Sequence, residues 1–171
     1  MDHVISLIRD IPDFPKPGIV FKDITPVLGD ANAFASVIDA FQSKLEGDAV
    51  HRVVGIEARG FIFGAALAQR LGVGFVPVRK PGKLPSNIDR ITYDLEYGTD
   101  ALEMHKDALN SSERVLIVDD LLATGGTAEA TASLVRKQGA EVAAFGFVLE
   151  LGFLRGRARL NSDRVISLVT F

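Results

Sequence analysis

A chain of 171 residues, 47% hydrophobic and 24% charged, has the size and balance of one globular unit with a sizeable core. Its net charge of -3 excludes a global basic field for nucleic acid, and the absence of cysteine excludes disulfides, thiolate metal sites and a cysteine nucleophile. The opening residues mix charged and apolar positions without a secretory apolar core, and no apolar run is long enough to cross a bilayer, so a soluble, cytoplasmic protein is expected.

In chain order, Ile11 to Pro26 is stiffened by Pro12, Pro15, Pro17 and Pro26 and belongs to an N-terminal segment, about 1–30, ahead of the core at about 30–171. Phe34, Val37, Ile38, Phe41 and Leu45 recur at helical spacing, which predicts a helix over Ala31–Leu45 with Asp30 as its N-cap. Arg52–Ile56 reads as a buried strand, Gly60–Leu71 as a helix closed by Gly72, and Phe75–Val78 as a strand whose proline marks a sheet edge or strand end. Lys80 to Asp107 is polar and long, with two alternating pieces around Ile91–Tyr93 and Leu102–His105. It is read as an excursion from the core, a mobile hairpin carrying a loop at about 81–107. A buried strand at Arg114–Val118 then ends in Asp119–Asp120. A helix over Gly125–Gln138, a strand over Glu141–Leu149, a short helix near Leu151–Leu160 and a strand over Val165–Val169 complete the chain. Strands alternating with crossover helices predict an α/β fold, a mostly parallel twisted sheet flanked by helices, with ligands beyond the strands' carboxyl ends.

The most informative stretch is Val118-Asp-Asp-Leu-Leu-Ala-Thr-Gly-Gly-Thr127. The small residues Ala123, Thr124, Gly125, Gly126 and Thr127 let backbone N–H groups turn inward around an anion at a helix N-terminus, and both threonines add hydroxyl donors. Asp119 and Asp120 would repel a second phosphate but accept hydrogen bonds from vicinal hydroxyls. The pair of features describes a ribose 5-phosphate site. A plain capped helix turn would not need so many small and hydroxylated positions. There is no Lys before a Ser or Thr as in a P-loop, and no GxGxxG after a strand. Arg59 beside Gly60 at a helix start suits a second phosphate, and Arg79, Lys80 and Lys83 gather cations after the next strand. His3, His51 and His105 share no metal-ligand spacing.

Val118 to Thr127 resembles the phosphoribosyl pyrophosphate (PRPP) signature of the type I phosphoribosyltransferases, and its Leu121–Leu122–Ala123 form is similar to the adenine-specific branch. The resemblance extends from Arg9 to about Leu160. It implies transfer of phosphoribose from PRPP to adenine, giving AMP and pyrophosphate, in purine salvage. It assigns Asp119 and Asp120 to the ribose hydroxyls and Ala123 to Thr127 to the 5-phosphate. Arg59, Arg79, Lys80 and Lys83 fall to pyrophosphate, with Lys83 acting from a neighbouring subunit as one option. Gly55–Gly64 is similar to the family's pyrophosphate loop, which implies a non-proline cis peptide between Glu57 and Ala58. Phe21 would stack on the base, Val20 and Lys22 would read its amino edge through their backbones, and Leu151 would pack on its other face. Leu95-Glu-Tyr-Gly98 resembles the flexible catalytic loop, so Glu96 would handle the purine proton and Tyr97 would cover the reacting centre. Magnesium, held mainly by PRPP and water, and a homodimer are also implied. A sibling enzyme for xanthine, hypoxanthine or a pyrimidine, and a non-catalytic PRPP-sensing regulator, are the alternative readings. The regulator would need a DNA-binding module for which 171 residues leave no room.

Overall fold

The computed structural model describes residues 1–94, 99–160 and 163–171. Its elements run α1 (Asp2–Leu7), β1 (Arg9–Pro12), β2 (Val20–Asp23), α2 (Thr25–Gly29), α3 (Ala31–Lys44), β3 (Arg52–Ile56), α4 (Arg59–Leu71), β4 (Gly74–Val78), β5 (Ile88–Asp94), β6 (Thr99–His105), β7 (Arg114–Leu122), α5 (Gly126–Lys137) and β8 (Glu141–Glu150). Two 3-10 turns (Gly152–Leu154 and Gly156–Leu160) and β9 (Val165–Thr170) follow. The central sheet has five strands in the order β4-β3-β7-β8-β9, every neighbouring pair parallel, as the alternating strand and helix pattern predicts.

Successive residues of a strand face opposite sides of a sheet, and the core divides accordingly. Val54, Ile117, Phe145 and Phe147 pack with Leu134 and Val135 of α5 on one face. Val53, Leu116, Val118 and Ala144 pack with Phe41 of α3 and Phe63 and Leu67 of α4 on the other. Asp30 caps α3 by accepting from the Ala33 N–H at 2.8 Å. Gly72 ends α4 in the left-handed region at φ 69°. Pro77 sits on the edge strand β4, where its missing N–H leaves no central ladder position unpaired.

Four features depart from the sequence pattern. The strand expected to stop before the acids continues through them, and β7 pairs with β8 as far as Leu122↔Glu150. The helix expected near 151–160 is instead two 3-10 turns, broken at Arg155, whose φ of 52° is left-handed. The expected hairpin is present, β5 against β6, but it is not an excursion from the core, because Leu102 and Met104 alternate inward and reach 0% exposure there. The N-terminal segment contains α1, pinned through the buried Val4, which its mixed polarity conceals.

All five strand ends lie on one rim of the sheet because all strands are parallel. The chain goes from β3 outward to β4, but from β7 outward through β8 to β9, so the topology reverses between β3 and β7. That reversal opens the crevice in which such sheets hold ligands. Pairing of β3 with β7 ends at Gly55↔Val118, so Asp119 and Asp120 project past the end of β3.

Helix α4 can lie close to β7 only because residue 60 has no side chain. A Cβ on Gly60 would stand 2.7 Å from the Val118 carbonyl oxygen and 2.9 Å from Asp119 Oδ1. Gly60→Ala is therefore expected to cost about 1–3 kcal/mol, the usual range for overpacking against backbone. Urea denaturation measures it; an unchanged midpoint would mean that α4 can shift outward freely.

Candidate active site

At the crevice, Asp120 is 6% exposed and accepts from Arg59 Nε at 2.6 Å. Arg59 is the first residue of α4, so the helix that starts after β3 delivers a cation to an acid near the end of β7. Its guanidinium carbon also lies 5.7 Å from the centre of the Phe21 ring. Asp119 is half-buried, and its Oδ1 accepts from the Asp120 N–H at 2.8 Å. Burial, and then the charge of Asp120 beside it, push the Asp119 carboxyl well above its ordinary value. The nearby Arg59 pulls the other way but bonds Asp120.

Directly after β7, Ala123 to Thr127 bend into the start of α5 and enclose a cavity of about 80 Å³ that Asp119, Leu121 and Phe147 also line. Gly125, at φ 83°, is the turning point, a conformation that favours glycine. Thr127 Oγ1 lies 3.2 Å from the Tyr93 hydroxyl, so strand β5 of the hairpin touches the first turn of α5. This places Asp119 and the five predicted loop residues around one small polar cavity.

The three cations after β4 do not stand free. Glu57 collects two of them: Lys83 Nζ bonds its Oε1, and Arg79 Nε lies 3.4 Å from its Oε2. The Lys80 N–H donates to that same oxygen at 2.9 Å. Burial works to raise the Glu57 pKa, but the bonds from Lys83, the Lys80 amide and Arg79 outweigh it and hold it below the usual value. The Lys80 ammonium bonds Asp100, which also accepts from the Tyr93 hydroxyl at 3.4 Å. Burial disfavours the charged lysine, yet the Asp100 carboxylate keeps its pKa raised. Glu57, Asp100 and Tyr93 were not singled out from sequence. The only available signal was the cation excess at 79–83, which demands nearby carboxylates. The Glu57–Ala58 peptide is cis, as the resemblance implies.

Beyond Thr124 lies a larger cavity of about 580 Å³, lined by Val20, Lys22 and Leu151 together with Asp10, Phe153 and Phe171. Thr124 lines both cavities, which makes them neighbours. Within this lining the Lys22 ammonium lies 2.6 Å from Asp10 Oδ1 and 4.1 Å from the Phe171 ring centre. Phe21 is not among the residues lining this cavity. Side chains alternate along β2, and Phe21 packs edge-on against Phe14 beside a separate cavity of about 210 Å³. Phe153, 73% exposed, and Phe171 are apolar walls that the sequence reading missed. Glu96 and Tyr97 lie outside the described residues. Among the described residues, no group of three or more His, Asp or Glu side chains could hold a metal, and no helix is long and apolar enough to cross a membrane.

A parallel sheet with paired acids leading into a small-residue loop at its reversal point fits a phosphoribosyltransferase, and residues 28–165 match the family model of the phosphoribosyl transferase domain. Similar proteins include the adenine phosphoribosyltransferase of Solibacter usitatus, 60% identical over 171 residues, covering 100% of this chain and 99% of the relative. The crystal structure of adenine phosphoribosyltransferase from Thermoanaerobacter pseudethanolicus superposes with a TM-score of 0.97 at 56% identity, covering 99% of each chain. That of Saccharomyces cerevisiae, solved with adenine and an imino-altritol bisphosphate, gives a TM-score of 0.94 at 43% identity, covering 98% of this chain and 97% of the other. The chain belongs to the phosphoribosyltransferase family, in its adenine phosphoribosyltransferase branch.

The raised Asp119 pKa has a measurable consequence. Below the ordinary carboxyl value of 3.8 both folded and unfolded chains carry the proton, and no penalty exists. As pH rises, the unfolded chain ionises first, and the folded state loses stability until its own pKa is passed. Asp119→Asn removes that penalty. The ligand-free variant is expected to melt higher than the parent at neutral pH, with the gap closing as the pH falls toward 3.8. Equal melting temperatures across the whole range would show that Asp119 is not disfavoured as an anion.

Proposed function

We propose that this chain transfers the phosphoribosyl group of PRPP to adenine, releasing AMP and pyrophosphate, and so salvages the base. The observation that carries this reading is the continuity of β7: two acids at a strand end, followed at once by a cavity-forming loop at the N-terminus of α5. Full-length likeness to adenine phosphoribosyltransferases supports the choice of reaction and base.

In this reading the loop from Ala123 to Thr127 binds the 5-phosphate through backbone N–H groups and the helix terminus. Asp119 and Asp120 accept from the ribose hydroxyls. Arg59, Arg79, Lys80 and Lys83 turn from their present carboxylate partners to the pyrophosphate as it leaves. The base occupies the cavity beyond Thr124, with Val20 and Lys22 reading its edge and Leu151 on one face; for Phe21 to stack on the other face, the β1–β2 hairpin must turn its ring from Phe14 toward that cavity. Placing adenine next to the ribose and neutralising the leaving group are the sources of rate, through positioning and electrostatics. Glu96 handles the purine proton, and Tyr97 covers the reacting centre. The oxygen-rich rim around Asp119 and Asp120 fits a hydrated magnesium ion carried mainly by PRPP's own oxygens. Such an ion adds positive charge against the departing pyrophosphate. A homodimer in the cytoplasm completes the proposal.

An assay with PRPP, magnesium and each nucleobase in turn tests the reading. Adenine alone should yield AMP; turnover with hypoxanthine or xanthine instead would reassign the base pocket, and no turnover would favour a PRPP-sensing role. Asp120→Asn removes a charged acceptor, whose hydrogen bonds contribute about 1.5–3 kcal/mol, so KM for PRPP should rise roughly 10- to 100-fold. Unchanged PRPP kinetics would remove Asp120 from the ribose site. Phe21→Ala should raise KM for adenine while sparing that for PRPP, and the reverse pattern would detach Phe21 from the base.

A further inference from the structure

The anion loop has a back wall, built from a part of the chain that the reaction does not otherwise involve. Gly156 opens the second 3-10 turn and is buried against the loop. A Cβ on Gly156 would stand 2.1 Å from the Ala123 carbonyl oxygen and 3.0 Å from the Gly125 nitrogen. The contact is reciprocal: a Cβ on Gly125 would meet the Gly156 carbonyl oxygen at 2.5 Å. Both clashes are with backbone, so no rotation of a neighbouring side chain relieves them. Gly125 also needs its positive φ, but Gly156 does not lie in the left-handed region. Close approach is therefore what residue 156 requires of glycine.

The wall is fastened to the sheet independently of α5. Arg157, the next residue, donates through Nη2 to Glu150 Oε2 at 2.6 Å, through Nε to Glu150 Oε1 at 3.2 Å, and through Nη1 to the Val165 carbonyl at 2.9 Å. Ser167 donates to Glu150 Oε2 at 2.5 Å, and Glu150 itself is 6% exposed. One buried carboxylate at the end of β8 thus ties the turn to β8 and β9. The turn in turn meets the outer side of the loop whose inner side encloses the small cavity.

The geometry points to Gly156 as a positioning residue that sets the backbone of Ala123 to Gly125 for a phosphate monoester, with the Arg157–Glu150 pair holding it in place. This rests on the reading of that loop as the 5-phosphate site. Any side chain at 156 drives the Ala123 carbonyl toward the ligand, where an oxygen repels phosphate. Loosening Arg157 lets the wall recede and leaves the loop's N–H groups less well converged.

Calorimetric titration of the full chain with AMP and with adenosine separates the possibilities, because the two ligands differ only by the phosphate. The parent protein should bind AMP much more tightly than adenosine. Gly156→Ala should weaken AMP at least roughly ten-fold, the loss of about one charge-assisted hydrogen bond, while adenosine stays within about two-fold. Arg157→Ala should lower the AMP-to-adenosine ratio in the same direction by a smaller factor, and it decides the matter if Gly156→Ala does not fold. A folded Gly156→Ala with unchanged AMP affinity, or with both ligands weakened equally, would overturn the role, as would an unchanged ratio in Arg157→Ala. A parent protein with no preference for AMP over adenosine would instead overturn the phosphate-loop reading beneath it.

Discussion

The contact between Arg59 and Asp120 organises this rim. It spans the gap between β3 and β7, where the sheet reverses its direction of winding, and it joins two segments far apart in the sequence. The close seat of α4 on β7 brings the two side chains within 2.6 Å, and that seat depends on the bare backbone at Gly60. Arg59 also faces Phe21, so the N-terminal hairpin is coupled to the same pair. One ion pair therefore brings together the N-terminal hairpin, the paired acids of β7 and the start of α4.

The same economy holds around the rest of the site. A surface prepared for a polyanion carries concentrated positive charge, and such charge repels itself unless neutralised. Here Asp120 partners Arg59, Glu57 partners Arg79 and Lys83, and Asp100 partners Lys80. A ligand with phosphate oxygens can exchange for these carboxylates at a modest net cost, since one set of charged hydrogen bonds replaces another. Asp119 is the exception. Among the described residues it has no direct cationic partner, and burial and its neighbour press against its charge, so in the proposed reading it gains most from ribose hydroxyls.

What the sequence disclosed follows from how local each feature is. Asp119 to Thr127 is contiguous, and its order of acids, apolar residues and small residues specifies a strand, a turn and a helix start without tertiary knowledge. The parallel sheet was legible for the same reason, since each strand and crossover helix carries its own period. Glu57 carries no such mark, because nothing local reveals that cations more than twenty residues later converge on it. Phe21 illustrates a subtler loss. Its neighbours Val20 and Lys22 line the large cavity while it does not, a consequence of strand alternation in a hairpin that the prolines hid. Gly156 sits in Gly152-Phe-Leu-Arg-Gly-Arg-Ala-Arg159, where periodicity suggests a short helix and the close backbone approach leaves no trace.

These placements also divide the labour of recognition. The small cavity is framed by β7 and α5 and backed by the turn at Gly156, all fixed to the central sheet. The large cavity is shared between that sheet's end and the β1–β2 hairpin, which pairs only with itself. In the proposed reading, phosphate would meet this tightly packed backbone, where misplacing N–H donors would be costly. The base, in the same reading, would meet a wall supplied partly by a separate, smaller sheet. Thr124 lies on the boundary of both. If the two cavities take base and phosphate as proposed, a shift of the hairpin would move one relative to the other, and the distance between the cavities would decide whether a base nitrogen reaches the ribose carbon.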